Sequence, residues 1–164
     1  MRKKIMCPLL CLILLQACGL FHTQTYLIPA NMKPRWITIE YKNPKCAPLK
    51  DVALGEEIMI PESGFLCTSS SQYSGWHKRE YFLLNEKGER TPLKVSEHIW
   101  GESSFRKAEG ALPDGKFRCN LEGGEFFYGS EGGVSEENPI IKDEAFLKYH
   151  PECREAGVGS IPSP

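Results

Sequence analysis

The feature that most constrains the fold is a series of short apolar segments with a period of two residues, each bounded by turn residues. The clearest is RWITIEYK, residues 35–42, in which Ile37, Ile39 and Tyr41 alternate with the residues between them. Alternation of β-branched and aromatic residues predicts a strand with one buried face. The two prolines of NPKCAP, residues 43–48, then end this strand.

Three further pairs of apolar segments predict hairpins. They are residues 56–60 with 65–69, 79–85 with 90–95, and 116–121 with 125–130. Their turns are PESG, a segment that contains Gly88, and EGG, all rich in residues that favour turns. Pro92 lacks an N–H, so its strand is predicted at the edge of a sheet. Residues 96–115 show no regular pattern and are expected to be irregular.

These strands predict a mainly β fold of the α+β class, an antiparallel β-sandwich or small barrel with one short C-terminal helix. Asn138 is suited to cap the helix, Pro139 to its first turn, and Pro151 to end it. A single β-rich domain is predicted over residues 26–150. Residues 151–164 are expected to form a loose tail.

The amino terminus has the layout of a secretory signal. Met-Arg-Lys-Lys is followed by an apolar run from Ile5 to Leu15 and a small residue, Ala17. The run is shorter than the roughly 20 apolar residues that a membrane-spanning helix needs. Residues 1–17 are therefore predicted to be a removable signal peptide, and residues 18–25 a tether.

The segment Leu-Gln-Ala-Cys, residues 15–18, resembles the bacterial lipobox. In lipoprotein signals a diacylglycerol is attached to the cysteine sulfur, the chain is cut before the cysteine, and the new amino group is acylated. Cys18 holds the matching position, whereas Cys11 and Cys7 lack a sufficient apolar run before them. Gln16 departs from the Ala or Ser that is commoner there. The alternative is an ordinary signal peptide with an incidental cysteine.

The resemblance implies a lipid anchor on Cys18, with the membrane as its partner. Two or more acyl chains anchor a protein stably, whereas one binds only marginally. The protein is therefore expected in the bacterial cell envelope. Gly19 follows Cys18, where an aspartate commonly signals inner-membrane retention. This favours the outer membrane in a Gram-negative cell, and otherwise the outer face of the cell membrane.

The mature chain would hold the 147 residues 18–164, enough for one domain with a real core. Loss of Arg2, Lys3 and Lys4 reduces the 20 basic side chains to 17 against 21 acidic ones, a formal charge of −4. Nucleic acid and anionic lipid both need a basic face. No nucleic-acid partner is therefore expected.

Four cysteines remain besides Cys18, an even number that predicts disulfides in an exported chain: Cys46, Cys67, Cys119 and Cys153. Zinc is the alternative, but zinc sites usually contain closely spaced pairs such as C-x-x-C. The four allow three connectivities. Because short loops close at lower entropic cost, Cys46–Cys67 with Cys119–Cys153 is favoured.

A set of ordered short motifs resembles a family of uncharacterised small bacterial envelope lipoproteins and secreted proteins. The motifs are YLIP, then IPExG, then YxxxNEKG, and they fall between Tyr26 and Val134. The family usually has a glycine before the first strand, where this chain has Pro34-Arg35, and the two cysteine pairs look particular to this chain. The resemblance implies an envelope β-domain and transfers no catalytic residue.

Motifs for catalysis or for a cofactor are weak, so no catalytic, cofactor or metal residues are assigned. The four histidines lack the spacing of a helical metal site, and a His77/His98 metal or acid–base pair would depend on the fold. There is no G-x-S-x-G elbow. The pairs Gly123-Gly124 and Gly132-Gly133 are best interpreted as turns, and the serine run 68–75 as a polar loop.

Six aromatic residues could form an exposed platform for a ligand, although such residues more often lie in the core. They are Trp36, Trp76, Trp100, Tyr73, Tyr81 and Tyr128. The favoured function is a non-enzymatic, membrane-anchored domain that binds an envelope protein or glycan. The alternatives are a hydrolase of cell-wall or glycan material, which needs two converging carboxylates, and an inhibitor of a secreted enzyme.

Overall fold

The computed structural model describes residues 22–112, 115–133, 146, 149 and 150. In this part of the chain nine strands form two sheets: β1 (His22–Pro29), β2 (Arg35–Tyr41), β3 (Lys50–Val52), β4 (Gly55–Met59), β5 (Phe65–Cys67), β6 (His77–Leu84), β7 (Arg90–Leu93), β8 (Ile99–Leu112) and β9 (Gly115–Tyr128). Residues 131–133 form a short 3-10 turn. No helix of the described residues is long and apolar enough to cross a membrane.

The first sheet has the strand order β3-β4-β1-β6-β7, and the second has the order β5-β2-β9-β8. Buried side chains from both sheets pack together in one core. This core includes Ile28 and Ile58 from the first sheet and Ile37 and Phe126 from the second. The fold is therefore mainly β and sandwich-like, as the alternating pattern predicted.

Both sheets are mixed, so the prediction of a purely antiparallel sandwich was wrong. β1 is parallel to both of its neighbours, β4 and β6, and β2 is parallel to β5. The remaining pairs are antiparallel. Alternation of apolar residues reveals which face of a strand is buried, but it carries no information about the direction of the neighbouring strand.

β1 is the central strand of the first sheet, and it overlaps the predicted tether. Its first four residues, His22–Thr25, belong to the folded domain. Gln24 and Thr25 are buried although they are polar. A central strand is covered on both faces, so its residues do not need to alternate in polarity, and the polar start of β1 resembled a linker.

One of the three predicted hairpins is confirmed. β6 and β7 pair antiparallel around a turn in which Gly88 has φ +79° and donates its N–H to the carbonyl of Asn85 at 3.0 Å. β7, which contains Pro92, lies at the edge of the sheet as predicted.

The other two predicted hairpins were wrong. The PESG turn forms, with the Gly64 N–H donating to Pro61 at 2.8 Å, but it carries the chain from β4 in the first sheet to β5 in the second. The segments around EGG are one continuous strand, β9, whose partner β8 occupies most of the region predicted to be irregular.

Gly123 explains the second error, because it lies inside β9 rather than in a turn. A Cβ atom at this position would lie 2.3 Å from the ring of Phe105 on β8. The missing side chain thus leaves room for an aromatic ring to lie across the strand, which is a known use of glycine in sheets.

The outer face of the second sheet carries a second apolar cluster: Trp36, Phe65, Leu121, Phe127 and Phe146. Phe146 is fully buried there, and its ring meets Phe65 edge-on at 5.5 Å. Phe146 and Tyr149 are helical, and the His150 N–H donates to the Phe146 carbonyl. The other residues of the predicted C-terminal helix, with its cap and end, lie outside the described residues.

Candidate functional site

A loop of residues 68–76 joins β5 of the second sheet to β6 of the first, and we call it the serine-rich loop. Its beginning is fixed by hydrogen bonds from the Lys42 N–H to the Ser70 carbonyl and from the Leu49 N–H to the Ser70 hydroxyl, both 2.9 Å. Further along, the ring of Tyr73 stacks on His22 at 3.9 Å. The loop is thus attached to the first residue of β1.

Trp76, at the end of this loop, is the most exposed of the large apolar side chains in the described part of the chain. It is 92% exposed, although tryptophan buries more apolar surface than most residues when it packs. His77 and Arg79 follow it, and the Arg79 Nε–H donates to His77 Nε2 at 3.1 Å. Because tryptophan is enriched at interfaces with other molecules, this exposed indole makes the loop a candidate contact surface.

A cleft of about 500 Å³ runs along one side of the serine-rich loop. Its lining combines two aromatic rings with five polar or charged side chains: Gln72, Tyr73, Ser74, Ser104, Phe105, Arg106 and Glu122. A second, shallower depression of about 550 Å³ extends from Ser74 to Trp76 and Arg79. The two depressions meet at Ser74, so together they form an extended surface.

The charges around the cleft are mostly balanced. Glu122 is paired with Lys42 at 2.8 Å, and Arg79 is paired with Glu102 at 3.4 Å. Arg106 is exposed, and among the described residues it has no ion-pair partner. Within the described part of the chain, the cleft therefore presents the positive charge of Arg106 without a compensating ion pair.

Beneath this surface lie three buried tyrosines, Tyr26, Tyr41 and Tyr81. Burial raises the pKa of Tyr26 to about 12, and it also raises the pKa of Tyr41 and Tyr81 well above the usual value. The Tyr26 hydroxyl donates to Gln24 at 3.2 Å, and that of Tyr81 donates to Glu102. The hydroxyls thus stay protonated near neutral pH and act as hydrogen-bond donors.

The fold does not bring His77 and His98 together, so they form no metal or acid–base pair. His77 pairs in register with His22, at the start of β1, whereas His98 precedes β8, which pairs at Ile99 with Tyr128 near the start of β2. Because β2 follows the end of β1, the two histidines lie at opposite ends of the sandwich. Within the described ranges, no group of three potential metal-ligating side chains comes together.

Of the six aromatic residues that were candidates for an exposed platform, two are exposed. Trp36 and Tyr81 are buried, while Trp100 and Tyr128 are partly buried. Only Tyr73 and Trp76 are exposed, and both belong to the serine-rich loop. This loop was interpreted as a plain polar loop, although the unusual sequence GWHKR could have drawn attention to it.

Two residues of the cleft, Arg106 and Ser104, were not singled out from the sequence. They lie on β8, in the segment that was expected to be irregular. Because strand residues can only be assigned to a face once the strand is recognised, nothing in the local sequence pointed to them.

Cys46 and Cys67 form a disulfide with Cα atoms 5.7 Å apart, the first bond of the favoured pairing. Cys67 ends β5 and pairs in register with Glu40 of β2, so the bond fastens the segment after β2 to this edge of the second sheet. Cys119 lies in β9, while Cys18 and Cys153 are outside the described residues. The bond between Cys119 and Cys153 stays a prediction.

Comparison with known proteins assigns a family and a fold. A family model described as "Family of unknown function (DUF6843)" matches residues 21–117. A crystal structure named "Putative Lipoprotein from Bacillus anthracis" has a similar fold, with a TM-score of 0.54 and 15% sequence identity over 85% of this chain and 100% of that one. No curated protein sequence matches the chain significantly.

Proposed function

Because this chain belongs to the family of unknown function DUF6843, which assigns no activity, we propose its function from its own residues. We infer a lipid-anchored protein of the bacterial envelope that binds a glycan, without catalysis, in the cleft beside the serine-rich loop. The observation that carries the proposal is the mixed aromatic and hydrogen-bonding lining of that cleft.

The anchor is supported by the lipobox-like residues 15–18 and by the fold shared with a protein that is itself named as a lipoprotein. Cys18→Ala should abolish incorporation of labelled fatty acid and leave an unprocessed precursor. Continued acylation of this variant would contradict the anchor. Which membrane carries the protein can be read from fractionation of the same cells.

A glycan fits the chemistry of the cleft. Sugar hydroxyls donate and accept hydrogen bonds, as do Gln72, Ser74 and Ser104, while the apolar face of a sugar ring packs on aromatic rings such as Tyr73. The uncompensated charge of Arg106 favours a sugar that bears a carboxylate, which guanidinium binds well.

The acidic side chains near the cleft favour binding over hydrolysis. Glu122 contacts Lys42, Glu102 accepts from Tyr81, and Glu125 accepts from the Ser103 hydroxyl at 2.9 Å. A glycosidase needs two carboxylates that face the sugar from both sides. Here one oxygen of each of these carboxylates is already engaged with a neighbouring side chain.

Titration of purified protein with a glucuronate-containing hexasaccharide and with a neutral N-acetylglucosamine hexasaccharide tests the proposal. The acidic sugar should bind more tightly, and Arg106→Gln should remove most of the difference. A charge-assisted hydrogen bond contributes about 1.5–3 kcal/mol, so the acidic sugar should lose about tenfold or more in affinity. Lys87→Gln, in the distant β6–β7 turn, is the matched control.

Absence of binding by both sugars at millimolar concentration would contradict the glycan proposal. Slow release of shorter sugars during the titration would instead support a hydrolase. The titration shows whether either sugar binds, and chromatography of the same mixtures shows whether shorter sugars are released.

A further inference from the structure

The serine-rich loop lies at the end of the sandwich where the chain arrives from Cys18. β1 begins at His22, so three residues separate it from the proposed lipid anchor. A fully extended chain advances at most ~3.6 Å per residue, so the start of β1 lies within about 14 Å of the acylated cysteine. This end of the domain must therefore lie close to the membrane surface.

Trp76 belongs to this same end. His22 pairs in register with His77 on the neighbouring strand, and neighbouring strands lie ~4.8 Å apart. Trp76 immediately precedes His77, and Tyr73 of the same loop stacks on His22. The exposed indole is therefore one strand away from the residue at which the tethered chain enters the fold.

The opposite end provides a contrast. The eight residues of β1 advance roughly 23 Å from His22 to Pro29. Val95, which is 52% exposed, bridges Ile99 at that far end, beside the start of β2. An exposed position is thus available at each end of the sandwich.

We propose that Trp76 inserts into the headgroup region of the membrane that holds Cys18, and that the serine-rich loop is a second membrane contact. The inference rests on the proposed lipid anchor and adds an orientation to it. With both contacts made, the sandwich stands on this end, and the cleft beside the loop opens at the membrane surface.

The chemistry of the loop matches a lipid–water interface. Tryptophan is enriched at this depth because its large ring is apolar while its N–H still finds a polar partner. The neighbouring cations are compensated, Lys78 by Glu80 and Arg79 by Glu102. The mature chain also has a formal charge of −4, so the contact depends on the indole and needs no anionic lipid.

One indole binds weakly, and the lipid anchor makes the weak contact effective. Once Cys18 is in the membrane, insertion of Trp76 is an intramolecular event at an effective concentration in the millimolar range for a short linker. The same domain without its lipid should therefore stay in the aqueous phase, and the contact should be visible only in the anchored protein.

The test uses the lipidated protein, purified from membranes and reconstituted in phosphatidylcholine vesicles. The lipid-free reference is the same chain produced without residues 1–17 and with Cys18→Ala, so that it has neither a lipid nor the apolar leader. Of the three tryptophans, Trp36 is buried and Trp100 is partly buried, so iodide in solution reports mainly on Trp76. We expect several-fold weaker iodide quenching in the anchored protein. Lipids with brominated acyl chains should quench it, and Trp76→Phe should remove that quenching.

Val95→Trp in the Trp76→Phe background is the matched control, because it moves the exposed indole to the far end. This reporter should be quenched by iodide and not by brominated lipid. Equal iodide quenching of Trp76 with and without the anchor would overturn the inference. So would equal quenching of the two reporters by brominated lipid, since the domain would then have no preferred orientation.

The same preparations separate this inference from the proposals on which it builds. If fatty acid is not incorporated at Cys18, the anchor itself fails. If Cys18 is acylated and Trp76 stays fully accessible to iodide, only the membrane contact fails. Sugar binding to the lipid-free protein is measured separately and depends on neither result.

Discussion

Removal of the Cys46–Cys67 disulfide should destabilise the domain by an amount that follows from the loop it closes. The two cysteines are separated by 21 residues in sequence. The entropy that such a bond removes from the unfolded chain corresponds to about 3 kcal/mol at 25 °C. The bond also holds β5 beside β2 at the edge of the second sheet, where Phe65 contributes to the outer apolar cluster.

The perturbation is Cys46→Ala with Cys67→Ala, and the assay is urea unfolding of the mature domain without reductant. With a urea dependence of ~2 kcal/mol per molar, typical of small proteins, the midpoint should fall by about 1.5 M. The thermal midpoint should fall by about 10 °C, because each kcal/mol shifts a domain of this size by a few degrees.

Reductant provides the internal control. It should destabilise the unmodified protein by at least as much as the double substitution, and its effect on the variant should come only from any other disulfide. A loss below about 1 kcal/mol in the double variant would refute the reasoning, because the closed loop would then contribute far less than chain entropy requires.

Four other outcomes follow from the described contacts. Gly123→Ala should destabilise the domain, because the new Cβ atom would lie 2.3 Å from the Phe105 ring. Gly124→Ala, whose Cβ atom would have its nearest contact at 3.6 Å, should destabilise it far less, and chemical denaturation compares the two variants. Phe146→Ala should cost about 3–5 kcal/mol, since Phe146 is fully buried, and Met59→Ala at an exposed position serves as control. Because burial raises the pKa of Tyr26 to about 12 in the folded protein, the unfolded chain loses this proton first. Stability should therefore fall as the pH rises from about 10 through about 12, seen as tyrosinate absorbance that appears together with unfolding. Alkylation of the unreduced mature protein should label no cysteine if Cys119 and Cys153 are also paired, and two free thiols would contradict that pairing.

Local signals in the sequence were sufficient for the elements that neighbouring residues determine. The alternation in residues 35–42 predicted β2, and Gly88 with Pro92 predicted a hairpin whose second strand lies at an edge. The PESG turn also forms where its residues indicated. In each case the decisive interaction connects residues that are close in sequence.

The arrangement of the strands could not be predicted in this way, because it depends on distant pairs. Residues 26–29 (Tyr-Leu-Ile-Pro) and 58–61 (Ile-Met-Ile-Pro) both end in Ile-Pro after two apolar residues. β1 and β4 do lie side by side, with Tyr26 beside Ile58. That likeness suggested no pairing, since similar segments can equally belong to different sheets. Gly123 was wrongly predicted to lie in a turn for a related reason. Its position inside a strand is explained only by its contact with the ring of a distant residue, Phe105.

The candidate site was least predictable, since it depends on the register between two strands that are far apart in sequence. The tether was predicted to extend to residue 25, which would have allowed about 29 Å of reach from Cys18 to the start of the domain at Tyr26. β1 begins at His22, which shortens that reach to about 14 Å, and His22 pairs with His77. Only with both facts does an exposed tryptophan in a polar loop become a residue near the proposed lipid anchor. The position that we propose for Trp76 relative to the membrane therefore depends on the sheet register, and a one-residue shift in that register would turn the neighbouring side chains of β6 to the opposite face.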